Sequence, residues 1–238
     1  MLQLHPRSHH RDVQGGAARA AVFGISDGLL TNVSLILGVA GAVAQTSPSV
    51  VRLAGLAGLV AGAFSMAAGE YVSMSAQKEL LEREIEIERR ELARHPEAET
   101  RELATSLARK GLDEADALRV AAALMADPDV ALEVHAQEEL GVHPRQTGAP
   151  VAAATSSFFS FAFGALIPLI PWFFTGGTPG VVISIGVGAV SALAIGWTVA
   201  VFTGRPRALS ALRQLAIGAV AAGVTFAVGT AVGVHTAA

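Results

Sequence analysis

Residues 151–203 read VAAATSSFFSFAFGALIPLIPWFFTGGTPGVVISIGVGAVSALAIGWTVAVFT, and no Asp, Glu, Lys or Arg occurs anywhere from Gln146 to Gly204. A membrane-spanning helix needs about 20 predominantly apolar residues. The charge-free stretch is therefore long enough for two such helices, with TGGTPG as the turn between them. Pro168 and Pro171 should kink or end the first helix near its outer end. This stretch predicts a membrane protein.

The rest of the chain repeats the pattern and predicts five spans in all. The 238 residues are 52% hydrophobic and 16% charged, with a mean hydropathy of +0.49. Asp27 is the only charged residue between positions 20 and 51, and Glu70 is the only one between positions 53 and 77. No charge follows Arg213. We place the spans near residues 21–44, 53–74, 151–174, 180–203 and 212–235.

Most of the charge lies between the second and third spans. Residues 78–145 contain 17 acidic and 10 basic residues. The second span should run on into this region as a polar helix through His95. Pro96, Asp113 and Asp127 then mark helix starts, while Gly111 and Gly141 mark helix ends. The pattern predicts a folded helical domain of about 70 residues.

The arginines that flank the spans predict the orientation of the chain. Six lie on one side, at positions 7, 11, 19, 205, 207 and 213, and one lies on the other side, at position 52. We therefore expect the N-terminus and the insert in the cytoplasm and the C-terminus outside. The Ala/Gly/Val-rich composition, with no organelle-targeting extension, favours a bacterial plasma membrane.

The predicted fold class is an all-α membrane protein with five transmembrane helices and a cytosolic helical insert between spans two and three. Its predicted divisions are an N-terminal arm (1–20), spans one and two (21–74), the acidic metal-binding insert (75–148) and spans three to five (149–238). Glycines four residues apart, at positions 58 and 62 and at 229 and 233, favour close helix contact. That contact lies either within one subunit or at a dimer seam.

Two carboxylates within the predicted spans indicate a cation pathway. A carboxylate at that depth is costly unless it is hydrated, paired or bound to a cation. Met66, Glu70 and Met74 recur at i, i+4 and i+8 and so share one helical face. Thioether and carboxylate ligands together suit a borderline divalent metal such as Fe²⁺. The alternatives are that Asp27 is a helix cap or an interfacial residue and that the methionines only pack.

The carboxylates of the insert recur three residues apart on two successive helices and again beside a histidine on the last helix. Residues three apart face the same side of a helix, so an antiparallel helix pair could direct four carboxylates into one gap. Carboxylates with an imidazole suit divalent first-row metals. The alternative is a solvated face of ion pairs. The candidate ligands are Glu88, Glu91, Glu99, Glu102, His135, Glu138 and Glu139.

Other classes of function find no support in the sequence. There is no cysteine, and no nucleophile–base pair, phosphate loop or nucleotide fingerprint. We therefore expect neither an enzyme nor ATP-driven transport, and no nucleic-acid partner. The histidines at positions 5, 9 and 10 are interpreted as part of a solvated tail.

Three segments resemble the vacuolar iron transporter family, which includes yeast vacuolar iron/manganese carriers and nodulin-21-like plant proteins. They are RAAVFGISDGLLTNVSLILGVAGA (19–42), GLVAGAFSMAAGEYVSMSAQKE (58–79) and QEELGV (137–142) at the end of the insert. The resemblance extends over nearly the whole chain. It implies a five-span homodimer that moves Fe²⁺ out of the cytoplasm in exchange for protons, between the first spans of the two subunits. It also implies a cytosolic helical domain that collects metal.

The resemblance also assigns residues. Asp27, Met66 and Glu70 fall in the transport path, and the paired glutamates of the insert and Glu139 fall on metal ligands of the cytosolic domain. One position departs, because family members commonly carry methionine where this chain has His135. Imidazole is a good ligand for Fe²⁺ or Zn²⁺, so the metal preference of the site is open. Mn²⁺, Co²⁺ and Zn²⁺ stay as alternatives to Fe²⁺, both as substrate and as bound ion.

The alternative function is a membrane-tethered carboxylate metal buffer or di-iron oxidase that does not transport. Di-iron carboxylate sites pair Glu-x-x-His on two helices. Neither His95 nor His135 follows a glutamate at that spacing. A third interpretation is a scaffold whose acidic domain binds a basic protein, for which intramembrane carboxylates would not be needed.

Overall fold

The computed structural model describes residues 16–42, 47–144 and 148–236, and it contains α-helices and no strand within them. The N-terminal histidines lie outside the described residues. The helices are α1 (Gly16–Ala42), α2 (Pro48–Arg94), α3 (Pro96–Arg109), α4 (Glu114–Leu124), α5 (Pro128–His135), α6 (Pro150–Leu169), α7 (Gly177–Thr203) and α8 (Arg207–Thr236). A π-helical turn, Ala136–Leu140, continues α5, and a 3-10 turn, Ile170–Phe173, continues α6.

Five of these helices are long and apolar enough to cross a membrane: α1, α2, α6 with its 3-10 turn, α7 and α8. The predicted all-α membrane fold with five spans is thereby confirmed. The helices begin earlier than the apolar stretches do, since α1 starts at Gly16 and α8 starts at Arg207. The backbone hydrogen bonds of a helix do not depend on whether its side chains are apolar. Polar flanking residues can therefore extend the helix beyond its hydrophobic part.

The second span continues as a polar helix, as predicted. α2 is a single helix of 47 residues that ends at Arg94, one residue before His95 and two before Pro96. Only its apolar part, residues 53–74, has the composition of a membrane-spanning segment. The part of α2 that follows, residues 75–94, is rich in charged side chains and lacks that composition.

The chain divides into two compact units. The membrane unit comprises Met1–Val72 and Ala149–Ala238, and the insert unit comprises Ser73–Gly148. The first boundary falls inside α2, which contributes residues to both units.

In the membrane unit, α1 lies centrally and packs against α6, α7 and α8. Glycines permit a close approach between α1 and α6. A Cβ added at Gly28 would collide with the α6 backbone at Phe161, and one added at Gly164 would collide with the α1 backbone at Ile25. Small residues at such a crossing allow backbones to meet in a membrane.

The glycine pairs noted in the sequence contact helices of the same chain. A Cβ at Gly58 would meet Leu35 of α1, and a Cβ at Gly62 would meet the ring of Phe161. In α8, Gly229 and Gly233 both lie against the α1 backbone. Packing within one subunit therefore accounts for both pairs.

The prolines of α6 alter the helix as expected. The α-helix ends at Leu169, and the chain passes into the 3-10 turn at Ile170. Ser184 Oγ donates a hydrogen bond of 2.8 Å to the Pro168 carbonyl, and Asn32 Nδ2 donates one of 2.5 Å to the Ala165 carbonyl. Side chains from α7 and α1 thus satisfy backbone acceptors beside the break, as a membrane environment requires.

The insert unit is formed by short helices whose ends follow from local sequence. The Asp113 carboxylate accepts a hydrogen bond from the Ala115 backbone N–H at 3.0 Å, and Asp127 accepts one from the Asp129 N–H at 2.9 Å. Pro96 occupies the first turn of α3. Gly141 ends the π-helical turn with a φ of +68°, in the left-handed region that favours glycine. The predicted helix starts and stops of the insert are confirmed.

Candidate metal centre and membrane carboxylates

Four potential metal ligands come together in the insert unit. They are Glu88 from the polar part of α2, Glu99 from α3, His135 from the end of α5 and Glu139 from the π-helical turn. One ligand atom of each lies within 4.8 Å of the others. Four separate segments therefore converge on a volume that one ion could occupy.

His135 lies at the centre of this cluster. Its Nδ1 atom is 3.2 Å from Glu88 Oε1, 3.3 Å from Glu139 Oε1 and 3.7 Å from Glu99 Oε2. Only the Glu139 contact has hydrogen-bond geometry. Glu88 Oε1 and His135 Nε2 are buried without a hydrogen-bond partner among the described residues. Such unpaired buried polar atoms are costly unless a cation or proton joins them.

The burial of the cluster is one-sided. Glu88, Glu99 and His135 are 6%, 8% and 1% exposed, whereas Glu139 is exposed. A cavity beside the cluster is lined by His135 and Glu139 together with Glu102. An ion could therefore reach the buried ligands from the Glu139 side.

Burial changes the titration of the two enclosed glutamates. Desolvation, with a contribution from the charge on Glu139, raises the pKa of Glu88 from 4.5 to about 7, although His135 opposes the shift. Desolvation also raises the pKa of Glu99 above its ordinary value. Burial disfavours the charged carboxylate, so without a metal ion the cluster holds protons more tightly than free glutamate does. Metal and protons compete for the same oxygens.

The other three candidate ligands of the insert lie elsewhere. Glu138 forms an ion pair with Lys110 and accepts a hydrogen bond of 2.8 Å from Ser106 Oγ. These partners lower the pKa of Glu138. Glu91 is exposed on α2, and Glu102 is exposed on the cavity wall. None of the three belongs to the four-ligand cluster.

In the membrane unit, Asp27 lies half-buried in α1. Thr31 Oγ1, one turn further on, donates a weak hydrogen bond of 3.4 Å to Asp27 Oδ1. Met66 packs against the apolar cluster of Ala63, Phe161 and Ala165. The Met66 side chain thus has packing partners whatever else it contacts.

Glu70 has a partner that sequence spacing did not reveal. Arg19 Nη2, in the first turn of α1, lies 2.6 Å from Glu70 Oε1. Met74 falls within the insert unit, where its methyl group lies beside Gly148. The predicted helical face therefore does not have one common set of neighbours. Each of its members, Met66, Glu70 and Met74, contacts different residues. No periodic signal links Arg19 to a residue 51 positions away.

Five apolar helices and an insert that holds a carboxylate–imidazole cluster define a polytopic membrane protein with a candidate divalent-metal centre. Residues 18–230 match the sequence model of the VIT family. The chain belongs to that family, and the resemblance noted in its sequence is confirmed.

Similar proteins match over most of their length. "Vacuolar iron transporter" of Acanthamoeba castellanii is 38% identical over 241 residues, which cover 96% of this chain and 85% of that protein. "Vacuolar iron transporter 1" of Eucalyptus grandis is 32% identical, over 98% of this chain and 92% of that protein. "Vacuolar iron transporter 1" of Oryza sativa subsp. japonica is 31% identical, over 96% and 89%. The matches include both the membrane helices and the insert.

Proposed function

We propose that this protein transports a divalent metal, Fe²⁺ foremost, out of the cytoplasm in exchange for protons. The observation that carries the proposal is the match, along 96% of the chain or more, to relatives named vacuolar iron transporter. That match spans the helices that hold Asp27 and Glu70 as well as the insert that holds the four-ligand cluster.

The insert collects the metal substrate. Glutamate oxygens and an imidazole nitrogen are ligands for Fe²⁺ and equally for Mn²⁺, Co²⁺ and Zn²⁺. Glu88, Glu99 and His135 supply buried ligands, and Glu139 supplies an accessible one. We propose Glu91, Glu102 and Glu138 as secondary acidic groups that attract cations without belonging to the inner ligand set.

The proposed transport pathway uses Asp27, Met66, Glu70 and Met74. A carboxylate oxygen can bind a metal ion or a proton but not both, so one set of groups can carry metal in one direction and protons in the other. Asp27 has only a weak partner in Thr31 among the described residues, which leaves its carboxylate available to a passing cation.

The proposed orientation follows the arginines at the ends of α1 and α8. It places the N-terminus and the insert in the cytoplasm of a bacterial cell, and the C-terminus outside the plasma membrane. We further propose a homodimer in which the route runs between the α1 helices of two subunits.

The test is uptake of Fe²⁺ into proteoliposomes, followed by a trapped chelating dye under anaerobic conditions. Wild type and Asp27→Asn are compared, each with and without an acidic lumen. Uptake that needs the pH gradient and is lost in Asp27→Asn supports exchange through Asp27. If uptake does not change with the pH gradient, the proposed exchange for protons is wrong. If wild type and Asp27→Asn take up Fe²⁺ equally, Asp27 is not in the path.

The second candidate, a membrane-tethered metal buffer or di-iron oxidase, rests on the four-ligand cluster itself, which does not depend on any membrane residue. The same preparation distinguishes it. Tight Fe²⁺ binding without flux would favour a buffer, and oxygen consumption that depends on Fe²⁺ would favour an oxidase.

A further inference from the structure

We propose that Arg19 is a built-in competitor for the metal. Its guanidinium occupies Glu70 when no metal is present and must be displaced before a divalent ion can bind that carboxylate. Arg19 thereby sets the affinity and the charge selectivity of the membrane path. This inference rests on the proposed transport function.

The geometry of the pair makes Arg19 the movable partner. The Glu70 side chain is 14% exposed, whereas the Arg19 side chain is 65% exposed. The glutamate is therefore largely enclosed, and the arginine reaches it from the first turn of α1 with most of its own side-chain surface exposed. The described structure assigns Glu70 no second charged partner.

The ion pair is not what joins α1 to α2. Ile36 of α1 and Val51 of α2 share one buried cluster, and Leu35 of α1 lies against Gly58 of α2. These apolar contacts hold the helices together away from the charges. The Arg19–Glu70 contact can therefore open without separating the two helices.

The local charge balance favours a divalent ion over other cations. Arg19 and Asp27 are the only charged residues of α1, and Glu70 is the only one in the apolar part of α2. Arg19 thus brings a single positive charge to Glu70. A monovalent cation that replaced Arg19 would bring the same charge and lose its freedom on binding, so it gains nothing. A divalent ion brings twice the charge to Glu70 and can therefore displace the guanidinium.

The same competition assists release. Arg19 stays attached to the chain, so it is available at once when the ion moves on. Its return to Glu70 would prevent the ion from rebinding there.

The first test compares the kinetics of Fe²⁺ uptake by wild type, Arg19→Gln and Arg19→Lys in proteoliposomes. Exposed ion pairs are worth little in water, so we expect Arg19→Gln to lower the apparent KM by about two- to five-fold. An excess of Na⁺ or K⁺ should then inhibit uptake by Arg19→Gln but not by wild type. Arg19→Lys should behave like wild type. Arg205→Gln, which removes an exposed arginine without an ion pair among the described residues, is the matched control for charge.

A double-mutant comparison separates competition for Glu70 from a general loss of positive charge. In a Glu70→Gln background, Arg19→Gln should leave the apparent KM unchanged. An equal fall in KM in both backgrounds, or a fall in Vmax with KM unchanged, would overturn the proposal, because either result means that Arg19 does not act through Glu70.

A second measurement does not depend on transport. The purified full-length protein is treated with a carbodiimide and glycine ethyl ester, and modification of Glu70 is followed by mass spectrometry. Arg19→Gln should increase labelling of Glu70, and Fe²⁺ should protect it. Unchanged labelling overturns the proposal. If wild type shows no flux while labelling behaves as expected, the proposed function fails and the competition for Glu70 stands.

Discussion

Replacing Glu88 with glutamine should remove most of the pH dependence of the insert's stability. The pKa of Glu88 is raised from 4.5 to about 7. The folded insert therefore binds more protons than the unfolded chain between these values, and its stability must fall as pH rises through that window. The stabilisation from proton uptake is fully present at low pH and is lost above about pH 7.

The magnitude follows from the two pKa values. One unit corresponds to about 1.4 kcal/mol, so the full cost of the ionised Glu88 is about 3 kcal/mol. Between about pH 5.5 and pH 7.5, the linkage relation gives a loss of about 2 kcal/mol in the metal-free protein. Glutamine has the same shape and no charge, so the stability of Glu88→Gln should depend much less on pH over this range, with Glu99 supplying the dependence that is left, and should exceed that of wild type at the upper end.

The assay is hydrogen–deuterium exchange of backbone amides in α3 and α5, in the full-length metal-free protein, corrected for the intrinsic exchange rate. Exchange reports local opening and does not require two-state unfolding of the membrane helices. Glu91→Gln is the matched control, because Glu91 is exposed on the same helix three residues away. Protection that rises with pH in wild type would refute the reasoning, and so would a fall in protection with pH that is as steep in Glu88→Gln as in wild type.

Three further results are expected. His135→Met replaces a nitrogen ligand by a soft thioether sulfur and should weaken Fe²⁺ binding more than Zn²⁺ binding, as competition titrations would show; equal losses would remove His135 from metal selection. Gly28→Ala places a methyl group against the α6 backbone and should destabilise the membrane unit by about 1–3 kcal/mol in thermal unfolding, whereas Gly186→Ala, with open space around it, should not. Lys110→Met should cost less than about 1 kcal/mol of stability and leave metal affinity nearly unchanged, since Lys110 pairs with Glu138 outside the cluster; a large loss of affinity would place Glu138 among the ligands.

The fold could be predicted because its signals are local. Charge-free runs mark the spans, and Asp113, Asp127 and Gly141 each fix a helix end through their own backbone neighbours. No long-range contact is needed to recognise any of these. The bounds of α1 and α8 were less predictable, because helical hydrogen bonding continues past the apolar residues that signal a span.

The candidate site was predictable only in part. Spacing indicated that both members of each glutamate pair would face one gap. In the structure one member of each pair is buried, Glu88 and Glu99, while Glu91 and Glu102 are exposed. Residues three apart on a helix differ by about 60° in direction, so a narrow interhelical space admits only one of them. The Arg19–Glu70 pair depends on how α1 and α2 pack, which no spacing within either helix records.

The exposure of Glu139 has a kinetic consequence. An ion held by the cluster would have three ligands shielded from solvent and one that water or another molecule can replace. A small chelator could therefore bind the ion at the Glu139 position before the buried ligands dissociate from it. The ion would then leave the cluster by stepwise ligand substitution. The rate of its release would rise with the concentration of the chelator instead of being fixed by the affinity of the cluster.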